Sequence, residues 1–431
     1  MSLVPPRGER ALPALAGATL ALAYPPVELL VPAFVGLVPL LVFIAGRPPG
    51  PEGRWSAVRG GMLAGLIYFG LQLYWLVVAL IYYSALAIPA YLGTVLILTG
   101  FTGAFAWAVH YTRDRLGLSP ALAATLFWPT LEWVQGHLGD LSFPWLGLGS
   151  ALAPFPTLAG AADLVGARGL TVWIAAVNGV LAVLVLRHRA GRPLRGLALG
   201  LAALVAGPAA YGFARAATLE LRPAARVAVV QPNIPEDLKM DRRVAMDTSL
   251  TALTRLTLEL EPAARGQEPG PEPDGAGGAS GGAGPATAGL DLVAWPEVAL
   301  PGFPEHDGGL TAVVRELSRR VGAPILLGAY GVDGTGDDAV AFNSAFLVDG
   351  TGLRPPRYDK RRLVPFVERI PFVDPAWFEA LVGSVVFVGG LGKGRERAVL
   401  PTDGGSGFGT LICYESIFAP LSRRYRRDGA D

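Results

Sequence analysis

The sequence has 431 residues, of which 52% are hydrophobic and only 16% charged, and its net charge is +1. That balance leaves no dense basic face and excludes nucleic acid as a partner, while a single cysteine excludes an intramolecular disulfide framework. The averages conceal a division, because residues 1–215 carry 20 charged side chains and the 216 that follow carry 51. The first part is therefore predicted to be a transmembrane domain (1–215) and the second a water-facing one (216–431).

In chain order, residues 11–24 and 29–46 form an apolar pair hinged at Pro25-Pro26. Residues 60–111 contain no Asp, Glu, Lys or Arg. Such a run exceeds one span of about 20 residues and predicts two helices broken near residues 82–89. Residues 119–134, which hold Glu132, are a further candidate, and 170–186 and 196–214 are two more uncharged runs. The sum is a bundle of about seven spans. A secretory signal peptide is the rival reading of the start, since Arg7 and Arg10 precede an apolar run ending in Ala21-Leu22-Ala23. The hydrophobic segments that follow at once favour a span.

Basic residues are retained on the cytoplasmic side of a bilayer. With the N-terminus inside, the inner segments hold 11 arginines and the outer loops only Arg168. An odd number of spans then carries everything beyond Arg215 out of the cytoplasm. Glu132 stands beside Trp133 within a span. An ionisable group there is costly, and it reads equally as a functional group or as a structural hydrogen bond to another helix. Phe143-Pro144-Trp145 suits an interfacial anchor.

Beyond residue 215 the pattern changes. Residues 226–231 form a short β-branched run ending at a Pro-Asn-Ile-Pro turn, and 244–260 have helical spacing. Residues 262–289 hold almost nothing but Pro, Gly, Ala, Ser and acidic residues, and are predicted to be a flexible insertion. Strands are then expected at 290–295, 324–330, 339–349, 397–400 and 408–413, with helices at 309–321 and 417–427. That alternation indicates an α/β layered domain.

Three residues stand at the ends of expected strands or turns in that domain, where an α/β sheet presents functional groups to a crevice. Glu297 follows Leu292-Val293-Ala294-Trp295-Pro296, Lys360 ends Tyr358-Asp359-Lys360, and Cys413 closes Gly409-Thr410-Leu411-Ile412. A thiol nucleophile needs a base, because the free thiol is mostly protonated at neutral pH. A carboxylate serves when burial raises its pKa, and a lysine can stabilise thiolate and oxyanion. Glu, Lys and Cys are thus a sufficient acyl-transfer set. Taken singly, each has a blander reading: a solvated turn glutamate, a surface lysine, a buried inert cysteine. The four histidines are scattered without ligand spacing, so neither a metal site nor a Cys-His pair is expected, and no cofactor is called for.

The order and wording of these segments resemble the nitrilase (carbon–nitrogen hydrolase) superfamily, and within it the bacterial apolipoprotein N-acyltransferases. The resemblance is carried by Val230-Gln231-Pro232-Asn233-Ile234-Pro235, Trp295-Pro296-Glu297, Asn343-Ser344, Tyr358-Asp359-Lys360, Leu363-Val364-Pro365-Phe366 with Glu368, and Ile412-Cys413-Tyr414-Glu415. In the membrane half it is carried by Tyr24-Pro25-Pro26, Glu132-Trp133 and Phe143-Pro144-Trp145-Leu146. Departures lie at Pro232 and Val367, where the family usually has Gly, at Met240, near its usual Trp, and at Arg369, where an aromatic is usual.

The resemblance implies a multi-pass α-helical membrane bundle joined to an α/β nitrilase-like (αββα sandwich) extracytoplasmic domain, set in a bacterial cytoplasmic (inner) membrane. It implies that Glu297, Lys360 and Cys413 are catalytic, with Glu368, Tyr414 and Glu415 as substrate-binding or supporting residues. The implied donor is a phospholipid such as phosphatidylethanolamine, and the implied acceptor a diacylglyceryl-lipoprotein, joined through a thioester on Cys413. It also implies a sequence cut short at Asp431, where the family continues with further strands and a final membrane helix. A membrane-anchored amidase using the same three residues is the alternative. The aromatic run Phe366, Phe372, Trp377, Phe378 and Phe387 reads either as buried core, the usual case in a soluble hydrolase, or, beside seven membrane helices, as a lid that dips into the interface.

Overall fold

The computed structural model describes residues 5–82, 87–221, 224–261, 289–365, 368–369, 390–402 and 405–430. Most of the predicted insertion and most of the aromatic run from Phe366 to Phe387 lie outside the described residues. The chain divides into two compact units, Met1–Glu220 and Leu221–Asp431.

The first unit is helical: α1 (Ala11–Ala21), α2 (Leu30–Val35), α3 (Val38–Ala45), α4 (Pro51–Gln72), α5 (Trp75–Leu80), α6 (Ala87–Leu116), α7 (Pro120–Gln135), α8 (Ala162–Arg189) and α9 (Arg195–Thr218). Every segment read as a span contains a helix. Among the described residues, three helices, Ala87–Leu116, Leu158–Arg189 and Arg195–Thr218, are long and apolar enough to cross a membrane. By contrast, α1 and the α2–α3 pair are shorter than the roughly 20 residues a span needs. α4 has 22 residues, but Glu52, Arg54 and Arg59 occupy its first turns. Small residues let α4 and α6 approach: a Cβ on Gly61 or Gly65 would collide with Thr102.

Non-helical backbone inside this unit is satisfied by side chains, as an apolar surrounding requires. Asn178 of α8 accepts from Leu37 N–H at 2.8 Å and donates to Ala33 O at 2.9 Å, bridging the break between α2 and α3. Glu132 does the same for the loop after α7. Its carboxylate accepts from Leu148 N–H and Trp128 Nε1, each at 2.7 Å, and from Thr171 Oγ1 at 2.9 Å. Tyr24 and Tyr68 hydroxyls donate to the carbonyl of Leu146, at 3.1 and 3.2 Å. Phe143-Pro144-Trp145 thus begins a loop that turns back into the helices, where Leu148, Ala151 and Leu152 are buried.

The second unit is built on a five-stranded mixed sheet in the order β1 (Val227–Val229), β2 (Leu292–Ala294), β3 (Ile325–Asp333), β4 (Val340–Asp349), β5 (Gly352–Asp359). The first three strands are parallel, and β3–β4–β5 form an antiparallel meander. A second sheet pairs β6 (Val399–Pro401) with β7 (Gly407–Gly409) in antiparallel fashion. Helices α10 (Arg242–Leu258), α11 (Gly308–Val321) and α12 (Ala419–Arg427) accompany the sheets among the described residues. Leu310, Val314, Leu317 and Val321 make the apolar stripe of α11, spaced to lie on one helix face. They pack with Leu253 of α10 on Val293, Ile325, Leu327, Phe346 and Val348. Ala345 and Tyr358 point to the opposite face and pack with Leu400, Ile412 and Tyr425. Side chains of alternate direction along β4 therefore serve two cores.

Two strands depart from the sequence reading. β5 was not anticipated, because Arg354, Pro355, Pro356 and Arg357 interrupt any apolar alternation; it lies at the sheet edge, where proline is tolerated. The run expected as a strand to Cys413 pairs only as far as Gly409. Beyond it, the Ile412 amide leaves the ladder and donates to Glu415 Oε2 at 2.9 Å. Cys413 accordingly does not end a strand but begins a 3₁₀ turn, Cys413–Ile417.

Candidate active site

The parallel strands and the meander bring their chemistry to one end of the five-stranded sheet, the carboxyl ends of β2, β3 and β5. Glu297 lies three residues beyond β2, held close to β3: a Cβ on Gly328 would stand 2.7 Å from Val298 N and 3.0 Å from Glu297 Cα. Val298 itself has φ +43°, a conformation that costs a β-branched residue roughly 1–3 kcal/mol. Lys360 follows β5 directly, its N–H donating to Asn343 O at 2.8 Å. Cys413 has φ +49° at the start of its turn; the residue is open to solvent on one side, while its thiol lies against Glu297 among neighbours that partly desolvate it. Left-handed backbone at both positions is strain that the surrounding hydrogen bonds must hold in place.

The Lys360 ammonium is enclosed, only 1% exposed, and donates at 2.9 Å to Glu297 Oε1 and at 2.9 Å to Glu368 Oε1. Asn343 Nδ2 reaches the same two oxygens, at 2.7 and 3.0 Å. Glu368 turns its other oxygen to Val364 N–H at 2.8 Å, closing the loop that carries it. Burial alone would depress Lys360, but the charges and hydrogen bonds of Glu368 and Glu297 outweigh it and hold its pKa above the ordinary lysine value. The ammonium is therefore permanent. The Cys413 thiol is pushed up, first by burial among its neighbours and then by the charge of Glu297, with Lys360 pulling the other way. A hydrogen bond to Glu297 and the Glu368 charge add to the rise. At neutral pH the site thus holds a thiol facing a carboxylate, not a preformed thiolate.

Glu297, Lys360, Glu368 and Cys413 are gathered in this way. Tyr414 and Glu415 are not part of that cluster. Tyr414 is buried edge-on to Phe418, with ring centroids 5.2 Å apart. Glu415 is fully enclosed and accepts from Tyr358 Oη at 2.8 Å, Arg361 N–H at 2.8 Å, Arg362 N–H at 3.1 Å and Ile412 N–H at 2.9 Å. Burial and the Glu415 charge keep the Tyr358 phenol protonated and donating. One carboxylate thereby joins the backbone just after Lys360 to the backbone just before Cys413. In the sequence, Asn343 is marked only by the family resemblance. The signal for Asn343 is its register opposite Tyr330, which a sequence does not display.

Comparison with known proteins follows the same division. The family model for the apolipoprotein N-acyltransferase N-terminal domain matches residues 16–180, and that for carbon–nitrogen hydrolases matches residues 226–431. An apolipoprotein N-acyltransferase of Rhizobium rhizogenes is 32% identical over 94% of this chain and 73% of its own length. The chain belongs to the apolipoprotein N-acyltransferase family. Other family members are similar over equal lengths. That of Geobacter metallireducens is 28% identical over 99% of this chain and 76% of its own, and that of Brucella suis 32% over 98% and 76%. The acyltransferase family and its nitrilase-type domain agree with the resemblance found in the residues, and the three apolar helices suit a membrane protein.

Proposed function

We propose that this chain transfers a fatty acyl group from a membrane phospholipid, such as phosphatidylethanolamine, to the N-terminal amine of diacylglyceryl-cysteine in apolipoproteins. The observation that carries the reading is the enclosed Lys360 ammonium fixed between Glu297 and Glu368 beside the Cys413 thiol. In the first step Glu297 takes the thiol proton as Sγ attacks the ester carbonyl. The proton moves from one site group to another, so the site keeps its net charge while the nucleophile forms. Lys360 has three N–H donors, and its two carboxylates use two of them. The third has no acceptor among the described residues and can meet the oxyanion.

Collapse breaks the ester C–O bond, Glu297 returns the proton to the departing lysophospholipid oxygen, and the acyl group remains on Sγ as a thioester. The acceptor amine then attacks, the C–S bond breaks, and the amine proton passes through Glu297 to the sulfur. An amide forms and the thiol is restored. Two half-reactions on one nucleophile give ping-pong kinetics. The bundle is placed in the bacterial cytoplasmic membrane with about seven spans and the catalytic unit outside, on the bias of 11 inner arginines to one outer.

The test is acylation of a diacylglyceryl-cysteinyl peptide by the purified protein in phosphatidylethanolamine, read by mass. The proposal expects one added fatty-acyl amide per peptide, abolished in Glu297→Gln, Lys360→Met and Cys413→Ala. Release of free fatty acid with no amide formed would favour the amidase instead.

A further inference from the structure

At the same end of the sheet stands a cation that meets no acid among the described residues. Arg242 is the first residue of α10, and its Nε donates to Pro301 O at 2.8 Å. Its guanidinium carbon lies 5.4 Å from the centroid of the Phe303 ring. These contacts orient an exposed side chain and leave both terminal amino groups without a protein acceptor among the described residues. Elsewhere in the unit, Arg255, Arg320, Arg357 and Arg397 each meet a carboxylate, whereas Arg361, beside Lys360, keeps buried guanidinium nitrogens without a partner among the described residues.

The surroundings lead from this cation to the catalytic groups. Phe303 packs against Tyr330 with ring centroids 6.0 Å apart, and the Tyr330 amide donates to Gly302 O at 3.0 Å. Tyr330 lies opposite Asn343 in the β3–β4 register, and Asn343 holds both Glu297 and Glu368. Burial pushes Tyr330 up to about 12, with Arg242 opposing and Glu368 and Glu297 adding. Its hydroxyl is therefore a neutral donor within the field of the guanidinium and of the two carboxylates.

We propose that Arg242, backed by Phe303 and flanked by Tyr330, binds the headgroup phosphodiester of the acyl-donor phospholipid. This rests on the phospholipid donor proposed above. Two carboxylates against one ammonium leave the reacting centre negative, so it repels a phosphodiester. A separate cation on the approach offsets that repulsion. With Nε engaged by Pro301 and its carbon over the Phe303 ring, the guanidinium keeps two terminal amino groups that can meet two phosphate oxygens.

The test compares Cys413 acylation by phosphatidylethanolamine with acylation by p-nitrophenyl palmitate, a reactive ester without phosphate, in the wild type, Arg242→Gln and Arg242→Lys. The proposal expects Arg242→Gln to lower the phospholipid-to-nitrophenyl rate ratio by about tenfold or more, through KM rather than kcat. Arg242→Lys should recover part of the loss, since it restores charge without the fork. A ratio unchanged in Arg242→Gln, with the wild type acylated by both esters, overturns the headgroup subsite and leaves the proposed function standing. A wild type acylated by the nitrophenyl ester alone overturns both.

Discussion

Cys413 carries its proton more tightly than an ordinary thiol, and the groups responsible pull in opposite directions. Burial and the Glu297 charge raise its pKa while Lys360 lowers it. Alkylation of Cys413 followed against pH should therefore have its midpoint above the ordinary thiol value of about 8.5. Replacing Glu297 by Gln should move that midpoint down, because a charge opposing the thiolate is gone. Replacing Lys360 by Met should move it up. A wild-type midpoint below the ordinary value would mean a preformed thiolate and would contradict this account. The raised value also means that the folded chain holds this proton more firmly than the unfolded chain. That contribution to stability is present at neutral pH and is lost as pH rises through the folded pKa. Glu297, Lys360, Cys413 and Glu368 could be named from the sequence because each ends an apolar run or stands in a distinctive motif. The bridging of two carboxylates by Asn343 could not, since it depends on which strand lies beside β4 and in what register.

At the scale of elements, hydrogen bonds from single carboxylates hold irregular backbone in place. Glu415 gathers three backbone amides and a phenol in a fully enclosed position. Glutamine there brings an amino group among donors, and Glu415→Gln should cost about 2–4 kcal/mol, measured as a fall in thermal stability. An unchanged melting temperature would show that the four contacts carry little. Glu132→Ala leaves Leu148 N–H, Trp128 Nε1 and Thr171 Oγ1 without their acceptor, at a cost of roughly 2–4 kcal/mol, read by thermal unfolding in detergent. Of the two readings of Glu132 open in the sequence, its observed partners support the structural one. Gly328→Ala places a methyl group against Val298 N and Glu297 Cα. It should slow thioester formation more than it lowers stability, because what moves is the loop that aims the base. Helices and most strands were legible from apolar spacing. The edge strand β5 was hidden by its prolines, and the early end of β7 by a side chain that takes over a ladder amide.

At the scale of the whole molecule, the division into a helical unit and a mixed-sheet unit follows from the uneven distribution of charge along the chain. The proposed orientation can be read from the chain itself, since Cys413 is its single cysteine. A membrane-impermeant maleimide added to intact spheroplasts should label it, whereas labelling only after lysis would place the catalytic unit on the cytoplasmic side. The central proposal is that Cys413 carries the acyl group between donor and acceptor. The most direct test is intact-protein mass spectrometry of the chain supplied with phosphatidylethanolamine and no acceptor, before and after hydroxylamine, beside Cys413→Ala. The account predicts a fatty-acyl adduct on the wild type that hydroxylamine removes and the alanine variant never forms. A wild type that releases lysophospholipid in the same membranes with no adduct on Cys413, or an adduct that persists in the alanine variant, would contradict it.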